Sequence, residues 1–120
     1  MRKAIRIKLL LIAGIGLLTV VAPVWAHHAL AATYDTRQSI VLAGTVMKIS
    51  WENPHVHLYL QADDKTSPAW EFELGSPNMQ IQNGWKLDTF RRGDHVVVTA
   101  YPARNGSRFG YASKVALSSR

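Results

Sequence analysis

The sequence contains no cysteine. No disulfide can staple the fold, and neither a thiolate metal site nor covalent haem attachment is possible. Long apolar runs are almost as scarce. The clearest, from Leu9 to Val21, spans 13 residues, whereas a membrane-spanning helix needs about 20. There is no HExxH zinc signature, no glycine-rich phosphate loop and no nucleophile–base motif, so a hydrolase or nucleotide enzyme has no positive support. Whether the chain is an enzyme is left open, with no catalytic motif recognised.

What is present begins with a processing signal. "MRKAIRIK" supplies Arg2, Lys3, Arg6 and Lys8 ahead of the apolar run, the layout of a secretory signal peptide. Val24 and Ala26 are the small residues a signal peptidase prefers at the third and first positions before its cut. Cleavage after Ala26 makes His27 the first residue of a 94-residue mature chain, exported to the periplasm or secreted, with no permanent membrane span. The leader holds four of the fourteen Lys and Arg, and all eight Asp and Glu lie beyond it, so the formal charge falls from +6 to +2. Arg91-Arg92, Arg104 and Arg108 then read as solvated turn residues, and no nucleic-acid partner is expected. A chain of this length buries about 60–65% of its unfolded surface, enough for one domain. The expected organisation is a leader over 1–26, an N-terminal arm over 27–38 and a barrel domain over 39–120.

From residue 39 the hydrophobic pattern has period two. In "SIVLAGTVMKISW" (39–51) Val41, Ala43, Thr45, Met47, Ile49 and Trp51 alternate onto one face, and Gly44 invites a bulge or sharp bend. "ENP" makes a turn, because Pro54 lacks an N–H and biases Asn53 to an extended conformation. "HVHLYLQA" (55–62) places Val56, Leu58 and Leu60 opposite His55, His57 and Tyr59. "AWEFEL" (69–74) sets Trp70, Phe72 and Leu74 opposite Glu71 and Glu73. Ser76, Pro77 and Gly84 are an N-cap, a first-turn proline and a helix stop. Two more strands follow, over 95–101 and 109–117, joined through the hairpin signal Asn105-Gly106. Three strands, a helix and two strands match an all-β, five-stranded antiparallel OB-like barrel. An open antiparallel sheet under a helix is the alternative.

Three groups of residues carry chemistry. The His27-His28 start offers a terminal amine and an imidazole that together chelate Cu(II), the divalent ion highest in the affinity order. Two polar residues fraying after a cleavage site is the plainer reading. In "WENPHVH", His55 and His57 stand two apart on one strand face, roughly 6–7 Å from each other, close enough to share a metal and equally compatible with a wet sheet face. His95 follows a Gly-Asp turn and reads as a surface residue. Asp35, Glu52, Glu71 and Glu73 form a carboxylate set. Glu71 and Glu73 could perform acid–base work if their pKa values were pushed apart, although such residues more often make a solvated face.

"HHALAATYD" (27–35), "GTVMKISWENPH" (44–55), "WEFELGSPN" (70–78), "NGW" (83–85) and "RRGDHVVV" (91–98) resemble the DUF6152 family of small exported bacterial proteins. Members look like secreted single domains that start "HHAF" and carry "NPH" after the first strand. The resemblance places the family's opening pair on His27 and His28, its aromatic–acid pair on Tyr34-Asp35, and its W-x-N-P-H on Trp51, Asn53, Pro54 and His55. Leu30 stands where the family usually shows Phe, Tyr34 where Phe is frequent, and His57 falls outside the motif. The resemblance brings no activity with it. It implies a joint role for the histidine terminus and the turn histidine.

The expectation is a metal-binding protein, for copper, with His27, His28, His55 and His57 as ligands and Asp35 or Asn53 orienting an imidazole through its other nitrogen. The alternative is a metal-free OB-like module holding a small ligand or an envelope protein around Trp51, Tyr59 and Trp70.

Overall fold

The computed structural model describes residues 28–120. The leader over 1–26 and His27 lie outside the described residues. The chain divides into two compact units, Met1–Thr33 and Tyr34–Arg120. In the first, residues 28–33 are helical.

The second unit is built from β1 (Ile40–Trp51), β2 (Val56–Ala62), β3 (Trp70–Glu73), a short helix α1 (Pro77–Gln82), β4 (His95–Pro102) and β5 (Phe109–Ser119). The strands close into a barrel in the order β1-β2-β3-β5-β4. Four of the pairings are antiparallel, as expected. The β3–β5 pair is parallel, so the sheet is mixed. The reason is topological: α1 and β4 lie between β3 and β5 in the chain and bring β5 back in the direction of β3.

β1 belongs to both halves of the barrel. Residues 40–45 pair with β4 and residues 44–51 with β2. Gly44 sits in the overlap, where a Cβ would lie 2.3 Å from the Gln61 carbonyl oxygen, so only glycine lets the two backbones meet there. A bulge follows between Val46 and Lys48. It reverses the side-chain alternation. Ile40, Leu42 and Val46 face inward before it, whereas Ile49 and Trp51 do so after it. The expected single face of odd-numbered residues therefore holds only beyond the bulge, and Val41 and Met47 are exposed. The bulge is pinned from outside: Gly93 N–H donates to the Val46 carbonyl and Val46 N–H to the Asp94 carbonyl, each at 2.8 Å. Gly93 takes φ +93° in that turn. Asp94, itself buried, accepts from Arg91 N–H at 2.8 Å. That backbone bond, reinforced by Arg120, holds its carboxyl below the usual aspartate range.

The interior is the alternation of β2, β3 and β4 made solid. Val56, Leu58, Leu60, Phe72, Val96, Val98 and Ala100 are all at most 1% exposed. Each large side chain among them contributes about 1.5–3 kcal/mol of burial free energy. α1 begins as its sequence dictates, with Ser76 Oγ accepting from Met79 N–H at 3.2 Å and Pro77 in the first turn. It ends at Asn83, followed by Gly84 with φ +93°.

Candidate functional site

The outward faces of β2 and β3 carry the polar residues that the inward alternation leaves over. His57 lies opposite Glu73 and Tyr59 opposite Glu71 in the β2–β3 ladder. His55 immediately precedes β2 and continues its alternation after a turn that contains the cis Asn53–Pro54 bond. Long side chains reach diagonal neighbours across antiparallel strands, and the pairing here is diagonal. His57 Nδ1 meets Glu71 Oε1 at 2.9 Å. His55 Nδ1 makes the corresponding ion-pair contact with Glu73.

Each glutamate also receives a phenol. Tyr59 hydroxyl donates to Glu71 at 3.1 Å. Tyr34 hydroxyl donates to the second oxygen of Glu73. The outer face therefore holds a histidine–glutamate–tyrosine set twice, His57–Glu71–Tyr59 and His55–Glu73–Tyr34. Tyr34 is held from behind as well: it bridges Ala103, stacks on Phe109 at 6.0 Å and tilts against Tyr111 at 5.8 Å. Phe109 also touches the His57 ring, with centroids 6.4 Å apart. The parallel register sets Phe109 beside Glu71 and Tyr111 beside Glu73, so β5 supplies an aromatic wall to the two carboxylates.

Burial and the nearby carboxylate charge keep these phenols neutral. Tyr34 is 2% exposed, and its hydroxyl is pushed far above the ordinary tyrosine range by burial first and by Glu73 second. Tyr59 is raised by burial and then Glu71, and Tyr111 by burial and then the Glu73 charge. An ionised carboxylate only accepts hydrogen bonds, so the imidazole nitrogen facing it carries the proton. A neutral imidazole held this way keeps its lone pair on Nε2. The histidine side chains are 42% exposed at His55 and 27% at His57, so the outer edges of the rings reach solvent.

The remaining expected site residues are distributed differently. His28 is exposed in the helical stretch of the first unit. Asp35 engages Arg37 and Gln38 rather than an imidazole, and the Arg37 bonds hold its carboxyl below the usual range. Asn53 is exposed in the turn before His55. His95 bonds Asp63 through Nε2 at 2.9 Å, away from the other strand histidines. Among the described residues, no group of three or more His, Cys, Asp or Glu is arranged to hold a metal ion.

Trp51, Tyr59 and Trp70 make different contacts. Trp51 packs edge-on against Trp85 at 6.3 Å, whereas Trp70 stacks on Phe72 at 5.7 Å. Tyr59 alone of the three lines a cleft of about 560 Å³ beside the bulge, with Met47, Lys48 and Arg92. Sequence reading placed His55 with His57 and Glu71 with Glu73. It did not join the two pairs, and although the resemblance marked Tyr34 with Asp35, nothing in the sequence placed Tyr34, from the arm, on Glu73.

The sequence model described as "Family of unknown function (DUF6152)" matches residues 14–112. The chain belongs to this family. In DUF6152 terms, the strand-turn histidine His55 and the arm aromatic Tyr34 meet on one carboxylate, Glu73. A comparison with curated proteins finds no match. Solved structures give the fold. The mitochondrial single-stranded DNA binding protein Rim1 of S. cerevisiae matches with TM-score 0.53 and 11% identity, over 69% of this chain and 95% of that one. An OBody, AM3L09, bound to hen egg-white lysozyme matches with TM-score 0.51 and 14% identity, over 69% of this chain and 83% of the other. At such identities the likeness shows an OB-type barrel and nothing about ligands. Among the described residues no helix is long and apolar enough to cross a membrane.

Proposed function

We propose that this DUF6152 protein is an exported OB-like barrel that binds a transition-metal ion, copper above others, with the Nε2 atoms of His55 and His57 as its strand donors. One observation carries the reading: each of these imidazoles has Nδ1 held by a glutamate, leaving Nε2 as the lone-pair nitrogen. Metal-binding histidines almost always donate their other ring N–H to a carboxylate, a backbone carbonyl or a water, which fixes the ring and raises its basicity. Imidazole nitrogen suits Cu(II) and Zn(II), and Cu(II) stands higher in affinity. Glu71 and Glu73 take the orienting role expected of Asp35 or Asn53. The amine and imidazole of a terminal His27, with His28, are a second donor set in the proposal, and their contribution is decided by titration.

The test is calorimetric and EPR titration with Cu(II) of protein whose first residue is verified by mass spectrometry as His27. His55→Ala, His57→Ala and a form with one added N-terminal Gly are measured beside it. One-to-one binding weakened at least about tenfold by each histidine substitution supports the strand site. A further loss on adding Gly brings in the terminus. Weak binding unchanged by any of the three overturns the proposal and leaves a metal-free binding module.

A further inference from the structure

The bulge in β1 does more than bend the strand. An unbroken strand sends neighbouring side chains to opposite faces, yet Met47 and Lys48, adjacent in the chain, are both exposed and both line one cleft of about 560 Å³. The bulge permits this, because its extra residue, Met47, has no partner across the β1–β2 ladder. The turn that bonds Val46 supplies more of the lining, since Arg92 and Gly93 belong to the same cleft. One irregularity and the contact that pins it therefore gather an apolar side chain and two cations in one place. Bulges are over-represented next to active sites, where they re-aim side chains in this way.

Charge decides what the cleft can hold. Lys48 and Arg92 are the charged residues lining it, and both are positive. Arg37, Arg91 and Arg120 each reach an aspartate, whereas neither Lys48 nor Arg92 forms an ion pair among the described residues. Lys48 instead lies over the Tyr59 ring, its Nζ 5.7 Å from the ring centre. The Tyr59 hydroxyl is bonded to Glu71, which steadies the ring beneath that ammonium. Glu71 itself is engaged by His57 and lines no part of the cleft. Val46, Met47 and Ala69 add apolar surface. The volume falls within the range of small-ligand sites, about 300–1,000 Å³, which combine an apolar lining with a few polar groups that orient the ligand.

We infer that this cleft binds a small organic anion: a carboxylate held between Lys48 and Arg92, on an apolar body that lies along Tyr59, Met47 and Ala69. A guanidinium meets a carboxylate with two parallel N–H bonds, and an ammonium adds a compact charge beside it. The flexible, polarizable Met47 side chain adapts to the shape of the body. An inorganic anion leaves the apolar lining wet, and a neutral hydrophobe leaves both cations uncompensated, so the cleft selects for the two features in one molecule. The site stands apart from the proposed metal donors, which it reaches only through the Tyr59–Glu71–His57 chain of bonds.

The probe is 2-naphthoate, titrated into the ¹⁵N-labelled full chain and followed by NMR, with EDTA present so that metal binding plays no part. Saturable shifts at the amides of residues 45–48 and 91–93 are expected. 2-Naphthamide, the same body without the charge, and acetate, the charge without the body, each bind about tenfold more weakly. The exposed substitutions Lys48→Gln and Arg92→Gln each weaken naphthoate about fivefold and leave the urea-unfolding midpoint unchanged. Absence of saturable shifts at millimolar naphthoate, equal binding of naphthamide or acetate, or undiminished binding in the double variant overturns the inference. Shifts at these amides with phosphatidylglycerol vesicles and none with naphthoate assign the cleft to a membrane surface and overturn it too.

Discussion

The two faces of β2 differ in almost every physical respect while sharing one backbone. Inward, Val56, Leu58 and Leu60 are sealed, at most 1% exposed, within the hydrophobic core. Outward, His57 and Tyr59 are half-buried and each is bonded to a glutamate of β3. The inner face gains its free energy from removing area from water, a term that needs no particular orientation. The outer face spends its bonds on orientation: the glutamates set which nitrogen of each ring looks outward. The contrast teaches that stability and chemistry are carried here by alternate residues of one strand, so substitutions should separate the two.

Four substitutions test that separation. Phe72→Ala, opening a cavity where the ring is fully buried, is expected to cost about 3–5 kcal/mol in urea unfolding. It should leave copper affinity per folded molecule unchanged, and a parallel loss of affinity would break the comparison. Gly44→Ala brings a Cβ against the Gln61 carbonyl and should cost about 1–3 kcal/mol, because two backbones must separate. The same denaturation measurement reads it.

Tyr34→Phe sharpens the comparison, since it removes an outer-face hydroxyl without touching the core. A loss of about 1.5 kcal/mol is expected, the low end for a bond to a charged group. The pH dependence carries the sign. The folded state holds the Tyr34 proton above the ordinary value of 10.0, so its contribution is complete below that pH and is lost as pH rises beyond it. Unfolding midpoints measured across alkaline pH should therefore fall less steeply in Tyr34→Phe than in the parent protein. Glu71→Gln should be the mildest for folding, about 1 kcal/mol for a part-buried pair whose geometry the amide can keep. Under the metal proposal the same change weakens copper binding about 10–100-fold by titration. Equal, small effects on both would erase the distinction between the faces.

Much of the barrel was legible because burial on one side writes a period of two into β2, β3 and β4, and because Ser76, Pro77 and Gly84 bracket a helix by local chemistry alone. β1 was legible in extent and not in facing. Gly44 announced a bulge or bend in β1, but its place, between Val46 and Lys48, goes with the turn at Gly93-Asp94 that bonds Val46 from outside, an interaction between distant segments that the residues of β1 do not record. The parallel β3–β5 pair was hidden for the same reason, since pairing is decided by how the chain returns and not by alternation. At the site, the strand spacing of His55 with His57 and of Glu71 with Glu73 showed which side chains share a face. Their union required the β2–β3 register, and Tyr34 required the arm's bridge to Ala103. The burial of Gln80 carried no signal in the sequence, since it follows from how α1 lies over Gly75.

The short parallel seam also sets an order in time. Hairpin neighbours β4 and β5 can find each other across one short connection, but β3 and β5 are separated in the chain by α1 and all of β4, so this pairing closes a long loop with the fewest rungs to repay it. The last join to form should be the first to open. Native-state amide exchange is expected to release the protons bridging Glu71–Glu73 and Phe109–Tyr111 well before those between β1 and β2, making this barrel a ring with a clasp.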